Sequence, residues 1–151
     1  MIKIICLGKI KETYLKEAIK DYEKRLSKYV LLEILELPDE KTDDKKVTLR
    51  KEKEKILKVL NPKDYIITLE VDKVEYTTHE LSQKIDKLFI NNSNIVFIIG
   101  GSYGLDEDIK KIANEAVSFS KLTFPHQLFR VILLEQLYRC FKINNNEEYH
   151  K

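Results

Sequence analysis

A single α/β domain with a largely parallel sheet is what this 151-residue chain predicts. Three observations carry the prediction. Short apolar runs of strand length recur along the chain. Each is followed by a stretch with apolar residues at helical spacing, and the turn-forming residues fall between these segments rather than inside them. In such sheets ligands bind beyond the carboxyl ends of the strands, so the loops that follow the strands are where function is to be sought.

The elements follow in order. Ile2 to Leu7, closed by Gly8, has the composition of a buried strand. Leu15, Ala18, Ile19, Tyr22 and Leu26 form one stripe on a helix whose outer face carries Glu12, Lys16, Lys20 and Lys24. Val30 to Leu37 alternates Leu32 and Ile34 with Glu33 and Glu36, a second strand ended by Pro38-Asp39-Glu40. Lys41 to Lys58 is dense in charge and predicts a mobile loop followed by a solvated helix, or else a basic edge that touches phosphate. Asn61-Pro62-Lys63-Asp64 is a turn, and Tyr65 to Glu70 a third buried strand. Thr77 and Glu80 stand at capping-box spacing before a helix whose buried face is Leu81, Ile85, Leu88 and Phe89.

Asn91 to Asn94 breaks that helix, and Ile95 to Ile99 is a fully apolar strand running into Gly100-Gly101-Ser102-Tyr103-Gly104. Helical spacing resumes at Ile109, Ile112, Ala113 and Ala116. Val117 to Lys121 alternates like a strand, Thr123-Phe124-Pro125-His126 forms a loop, and a long helix begins at Pro125. Its residues Leu128, Phe129, Val131, Ile132, Leu133, Leu134, Leu137, Tyr138 and Phe141 cover well over half the circumference, so more than one neighbour must cover it. Glu135, Arg139 and Lys142 form the polar exception. An i, i+4 Glu/Arg pair is ordinarily surface decoration worth roughly 0.2–0.5 kcal/mol; the alternative is a face at which a charged substrate arrives.

Composition bounds the function. With 43% hydrophobic residues the chain can bury a core, and residues 1–151 fit one domain with no room for a separate binding module. The 27 basic and 25 acidic residues leave a net charge of only +2, which neither demands nor excludes a nucleic-acid partner. Cys6 and Cys140 lie far apart without CxxC or histidine spacing, so reduced core thiols are expected and no metal. Lys3, Lys9 and Lys11 interrupt the apolar start before a signal peptide can form, and no apolar run reaches spanning length. A cytoplasmic protein with no membrane partner is expected.

Three loops are candidates for chemistry: after Leu69, at Gly100 to Gly104, and at Lys121 to His126. A glycine turn between strand and helix lets a ligand approach backbone N–H groups near a helix start. It is neither GxGxxG nor a P-loop, so nucleotide hydrolysis fails at its diagnostic positions. His126 could act as a base, but Ser118, Ser120 and Thr123 form no Ser-His-Asp arrangement. Spacing alone ends at an α/β ligand-binding domain, with an enzyme as one form it could take.

Longer motifs extend the reading. Phe97 to Leu105 (FIIGGSYGL), Ser118 to Ile143 (SFSKLTFPHQLFRVILLEQLYRCFKI), the ending EYHK, the opening KIICLGKIKETY and Tyr22 to Leu26 (YEKRL) closely resemble the ribosomal RNA large-subunit methyltransferase H family. These are small single-domain SPOUT methyltransferases, and the match spans nearly the whole chain. Tyr103 and Asn144-Asn145-Asn146 are local departures from the pattern. The resemblance implies a SPOUT-type, mostly parallel sheet flanked by helices, with a C-terminal trefoil knot that general topology rules would not predict. It implies S-adenosylmethionine-dependent methylation of N-3 of a pseudouridine in 23S ribosomal RNA, in the assembled ribosome, by a homodimer without a metal. Its cofactor contacts fall on Leu69, Gly100, Phe119, Ser120, Lys121, Leu122, Thr123 and Phe124. Glu135, Arg139, Tyr149 and His150 are candidates for substrate handling, with the tail of one subunit completing the other's site. The rival expectations are a non-catalytic dimer that binds RNA or a nucleotide, and a methyltransferase of the same fold acting on transfer RNA.

Overall fold

The computed structural model describes residues 1–151. Strands and helices alternate as β1 (Ile2–Leu7), α1 (Thr13–Leu26), β2 (Leu32–Leu37), α2 (Lys45–Val59), β3 (Tyr65–Glu75), α3 (Thr78–Asn91), β4 (Ile95–Ile99), α4 (Glu107–Ile112), β5 (Glu115–Ser118) and α5 (His126–Asn144). The strands form one sheet in the order β2-β1-β4-β3-β5, every neighbouring pair parallel.

The apolar runs of β1 and β4 occupy interior positions of the sheet, where both faces must be covered. Ile2, Ile4, Cys6, Ile95, Phe97 and Ile99 face a core shared with Leu26 of α1, Leu81 and Ile85 of α3, and Leu133, Leu134 and Leu137 of α5. Ile5, Leu7, Val96 and Ile98 face the other side, covered by Ile56 of α2 and Ile109 of α4. Helix α5 packs against both α1 and α3, which accounts for its excess of apolar surface. Lys3 is buried within β1 because its Nζ donates to the Val59 carbonyl at 3.2 Å and lies 3.9 Å from the Asp64 carboxylate.

Several boundaries differ from the sequence reading, each for a local reason. Strand β3 continues past Glu70 to Glu75: the ladder shifts between Leu69 and Val74, both paired with Val117, and Asp72 adopts a φ of 55° within that irregularity. Helix α4 stops at Ile112, and Ala116 belongs to β5. Asn114 is what turns the chain, its N–H donating to the Ile66 carbonyl at 2.9 Å and its side-chain oxygen accepting from the Ile66 N–H at 2.8 Å. Strand β5 ends at Ser118 rather than Lys121, since the Ser118 hydroxyl closes the β3 irregularity by donating to the Glu70 carbonyl and accepting from the Lys73 N–H.

The charged stretch that reads as a loop and a solvated helix is mostly one ordered helix. Asp44 caps α2 by accepting from the N–H groups of Lys46 and Val47, and Thr48 and Glu52 are turned inward and buried. The Thr77/Glu80 capping box forms with both reciprocal bonds. In α3, Leu81 and Ile85 are buried while Leu88 and Phe89 pack against the core from its margin. Cys6 and Cys140 are free and buried, and burial pushes both thiols up to about 12. No helix is long and apolar enough to cross a membrane.

Candidate functional site

The carboxyl ends of β3, β4 and β5 open on a cavity of about 580 Å³, in the size range of small-molecule sites. Leu69 and Glu70 from β3, the glycine loop Gly100 to Leu105, Phe119 to Phe124 apart from Lys121, and His126 and Phe129 at the start of α5 line it. The three loops picked out from the sequence therefore meet at one place. Seven of the eight residues expected to contact a cofactor line this cavity; Lys121 is exposed in the same loop.

Each wall has its own cause. A side chain at Gly100 would place its Cβ 2.6 Å from the carbonyl carbon and oxygen of Gly104, so only glycine permits the loop to fold back on itself. Gly104 completes that turn at a φ of 79°, its N–H donating to the Gly101 carbonyl at 3.0 Å. The Glu70 carboxylate accepts from the Thr68 hydroxyl at 2.7 Å and lies 3.5 Å from Lys110 Nζ, so the wall carries a compensated ion pair. The rings of Phe119 and Phe124 flank Phe129, with centroids at 5.2 and 5.9 Å. Leu122 is nonetheless 71% exposed and Phe124 37%, so this loop presents apolar faces that its own protomer leaves uncovered. The glycine loop thus brings backbone, and the 119–129 segment apolar side chains, to the same cavity.

The four residues expected to handle substrate form a second constellation. Glu135 Oε1 accepts from Arg139 Nε at 2.6 Å and from the Tyr149 hydroxyl at 3.2 Å, and Arg139 Nη1 lies 3.2 Å from His150 Nδ1. Tyr149 packs edge-on against Tyr138 at 4.9 Å, and the Arg139 guanidinium lies 5.1 Å from the Tyr149 ring centroid. Lys142 is paired with Glu147, which also accepts from the Tyr29 hydroxyl at 2.9 Å. The ending of the chain is thus docked on α5, not frayed. Tyr22 of α1 borders the same group: burial first, then Tyr149 and Glu135, push its phenol up to about 12, against an opposing pull from Arg25.

The two constellations are separate within one protomer. Phe129 lines the cavity, while Glu135 and Arg139 lie six and ten residues further along α5, roughly 9 and 15 Å at the helical rise.

Two residues that the sequence reading did not single out hold the site in place. Arg130 is 2% exposed; its Nη1 donates to Glu36 at 2.7 Å and its Nη2 to the carbonyls of Leu7 and Gly8 at 2.9 and 2.7 Å. It bolts the first turn of α5 to the end of β1, and the signal for it was a lone cation between Phe129 and Val131. Glu52 is 4% exposed, accepts from the Glu40 N–H at 3.2 Å, and its two oxygens stand 3.3 and 3.4 Å from where a Cβ at Gly101 would lie. Burial is the main cause that raises its carboxyl above the usual range. No periodicity could reveal Glu52, because its environment comes from a loop distant in sequence. No cluster of three or more His, Cys, Asp or Glu side chains with metal-holding geometry is present.

Comparisons with known proteins point the same way as this geometry. A family model described as "Predicted SPOUT methyltransferase" matches residues 1–150. The chain is 52% identical over 157 aligned residues to a ribosomal RNA large subunit methyltransferase H of Clostridium botulinum (strain Eklund 17B / Type B). It is 46% identical, over the same length, to the one of Streptococcus suis (strain 05ZYH33). Each alignment covers 99% of both chains. A solved structure described as "a probable methylase family protein from Haemophilus influenzae Rd KW20" superposes with a TM-score of 0.61 at 13% identity, covering 99% of this chain and 70% of that one. At that identity the likeness is one of fold.

Proposed function

The chain belongs to the SPOUT methyltransferase family, and from that premise we propose that it methylates N-3 of a pseudouridine in 23S ribosomal RNA, using S-adenosylmethionine. It does so as a cytoplasmic homodimer on the assembled ribosome. The observation that carries this reading is the convergence of three strand-end loops, 69–73, 100–105 and 119–124, on one cavity of about 580 Å³. The curated relatives, at 52% and 46% identity over essentially their full length, carry the substrate class.

The residues present fit the cofactor. The glycine turn, where no Cβ can stand at Gly100, lets backbone groups approach a ribose, and Leu69, Leu122 and Phe124 supply apolar cover for an adenine. Ser120 and Thr123 add hydroxyls, and Lys121 stands exposed in the same loop. When bound there, S-adenosylmethionine supplies an electrophilic methyl group on a sulfonium centre.

The chain's own work is positioning and charge. Holding the target ring in line is worth up to roughly 7–11 kcal/mol in favourable cases. The imide nitrogen must lose its proton to solvent, and the Arg139 guanidinium, oriented by Glu135, favours the resulting anion. Gln136 Nε2 donates to Glu135 Oε2 at 3.0 Å, so Glu135 is itself held from both sides. Because the tail constellation stands roughly 9–15 Å along α5 from the cavity lining, we assign the wall opposite each cavity to the partner subunit, with Tyr149 and His150 contributed across the interface. The uncovered apolar faces of Leu122 and Phe124 support that assignment. The C-terminal segment is threaded as the family's trefoil knot, which is consistent with α5 packing between α1 and α3.

Calorimetry with S-adenosylmethionine, followed by methyl transfer to intact ribosomes and to protein-free ribosomal RNA, tests the reading. Cofactor binding and a marked preference for ribosomes are expected. A protein that binds RNA without any heat from the cofactor is a binding module, and the proposal then fails.

A further inference from the structure

Helix α2 carries seven basic residues and only two acidic ones. Its net +5 exceeds the +2 of the entire chain, so everything outside this helix is net negative. One of its two carboxylates, Glu52, is turned inward and buried. Lys53 is engaged by Asp108 at 2.8 Å and Lys55 by Glu40 at 2.7 Å. Lys45, Lys46, Arg50, Lys51 and Lys58 are all exposed, and none has a carboxylate within ion-pairing distance.

The other carboxylate, Glu54, lies four residues from both Arg50 and Lys58 and pairs with neither, so intrahelical pairing accounts for little of this pattern. Lys45 and Lys46 occupy the first turn, which contains no acidic residue, and cations there oppose the helix dipole by about 0.3–1 kcal/mol each. Helix α1 shows the contrast: its Lys16, Lys20, Lys24 and Arg25 are interleaved with Glu17, Asp21 and Glu23. Asp43 and the cap Asp44 precede these lysines, yet neither pairs with them, so the cations stay free to meet an external polyanion.

Its position is equally specific. Glu52 abuts Gly101 in the cavity wall, and Lys53 reaches Asp106 and Asp108 at the start of α4, directly after the glycine loop. Helix α2, roughly 20 Å long at the helical rise, therefore stands behind the glycine loop, with none of its own residues lining the cavity.

We propose that α2 is the phosphate-docking helix of this protein: Lys46, Arg50 and Lys51, with Lys45 and Lys58 at its ends, grip the sugar–phosphate backbone of the RNA and set the target nucleotide beside the cavity. This rests on the proposed function and adds to it the surface that meets the substrate. Phosphate contacts of this kind fix register without reading sequence, as befits a single small domain.

The test is a combined variant, Lys46→Gln, Arg50→Gln and Lys51→Gln, compared with Lys16→Gln, Lys20→Gln and Lys24→Gln on α1, which removes the same charge elsewhere. For the α2 variant KM for ribosomes is expected to rise about 10-fold or more, and the slope of log affinity against log salt to fall by about 2–3. Its kcat and its affinity for S-adenosylmethionine are expected to be unchanged, and the α1 variant to stay within about 2-fold of the parent. An α2 variant with unaltered KM and salt slope overturns the proposal, and so does an α1 variant with an equal loss. A parent protein inactive on ribosomes contradicts the proposed function instead; filter binding of 23S ribosomal RNA fragments by the same two variants then decides the role of α2 by the same contrast.

Discussion

At the scale of single residues, the site depends on groups whose surroundings leave no freedom. Gly100 is the clearest. A methyl group there meets backbone at 2.6 Å and cannot be relieved by a side-chain rotation. Gly100→Ala is expected to lower affinity for S-adenosylmethionine by at least about 10-fold, read by calorimetry, because the loop must open by a fraction of an ångström and lose its approach to the ligand. Glu52 makes a prediction about pH. Its folded-state carboxyl is raised above the ordinary value by burial, so between the unfolded and folded values the native state binds more protons, and stability falls as pH rises through that window upward from about pH 4.5. Glu52→Gln keeps an oxygen for the Glu40 N–H and removes the charge, so a higher Tm at pH 7 and a flatter profile between pH 4 and 7 are expected. Arg130 behaves oppositely. Three charge-assisted bonds converge on a guanidinium that is 2% exposed, and Arg130→Met is expected to cost about 3 kcal/mol in denaturant unfolding. These three residues also show where reading the chain stops. Gly100 was visible as part of a glycine turn, whereas the demands on Glu52 and Arg130 arise from β1, the 38–40 turn and the glycine loop, brought near only by folding.

At the scale of elements, hydrophobic period located nearly everything. The runs at Ile2 to Leu7 and Ile95 to Ile99 are interior strands, and the reciprocal bonds of Thr77 and Glu80 start α3 where their spacing placed it. Two of the misread boundaries share one cause: a side chain making a non-local bond to backbone overrode the local pattern. Asn114 pairs with Ile66 and ends α4 early; Ser118 ties to Glu70 and Lys73 and ends β5 early. At α2 a loop followed by a helix was legible, but charge density hid that Thr48 and Glu52 turn inward beside Ile56 to anchor it. The tail is the element whose function is most separable from folding. Its last residues are held by Tyr149 on Tyr138 and by His150 beside Arg139. Deleting Glu148 to Lys151 is expected to leave S-adenosylmethionine binding within about 2-fold and to abolish methyl transfer to ribosomes by a factor of at least about 10². Unchanged methylation would remove Tyr149 and His150 from the site.

At the scale of the whole molecule, a sheet with one helical layer on each face puts three loops around one cavity at its carboxyl edge and leaves two features facing outward. One is the exposed apolar surface of Leu122 and Phe124, where the proposed partner subunit would pack; the other is the cationic helix α2, the proposed seat of the polyanion. The parallel α/β class and the three candidate loops were legible from residue pattern, and the family from its motifs. The order β2-β1-β4-β3-β5 was not, because the pairing of strands distant in sequence leaves no trace in local periodicity. The most direct measurement of the central claim is nucleoside mass spectrometry of 23S ribosomal RNA and transfer RNA from cells with and without this gene. The account predicts a pseudouridine in 23S ribosomal RNA that carries an N-3 methyl only when the gene is present, with transfer RNA unaltered; ribosomal RNA that is identical in both, or a methyl lost from transfer RNA instead, would contradict it.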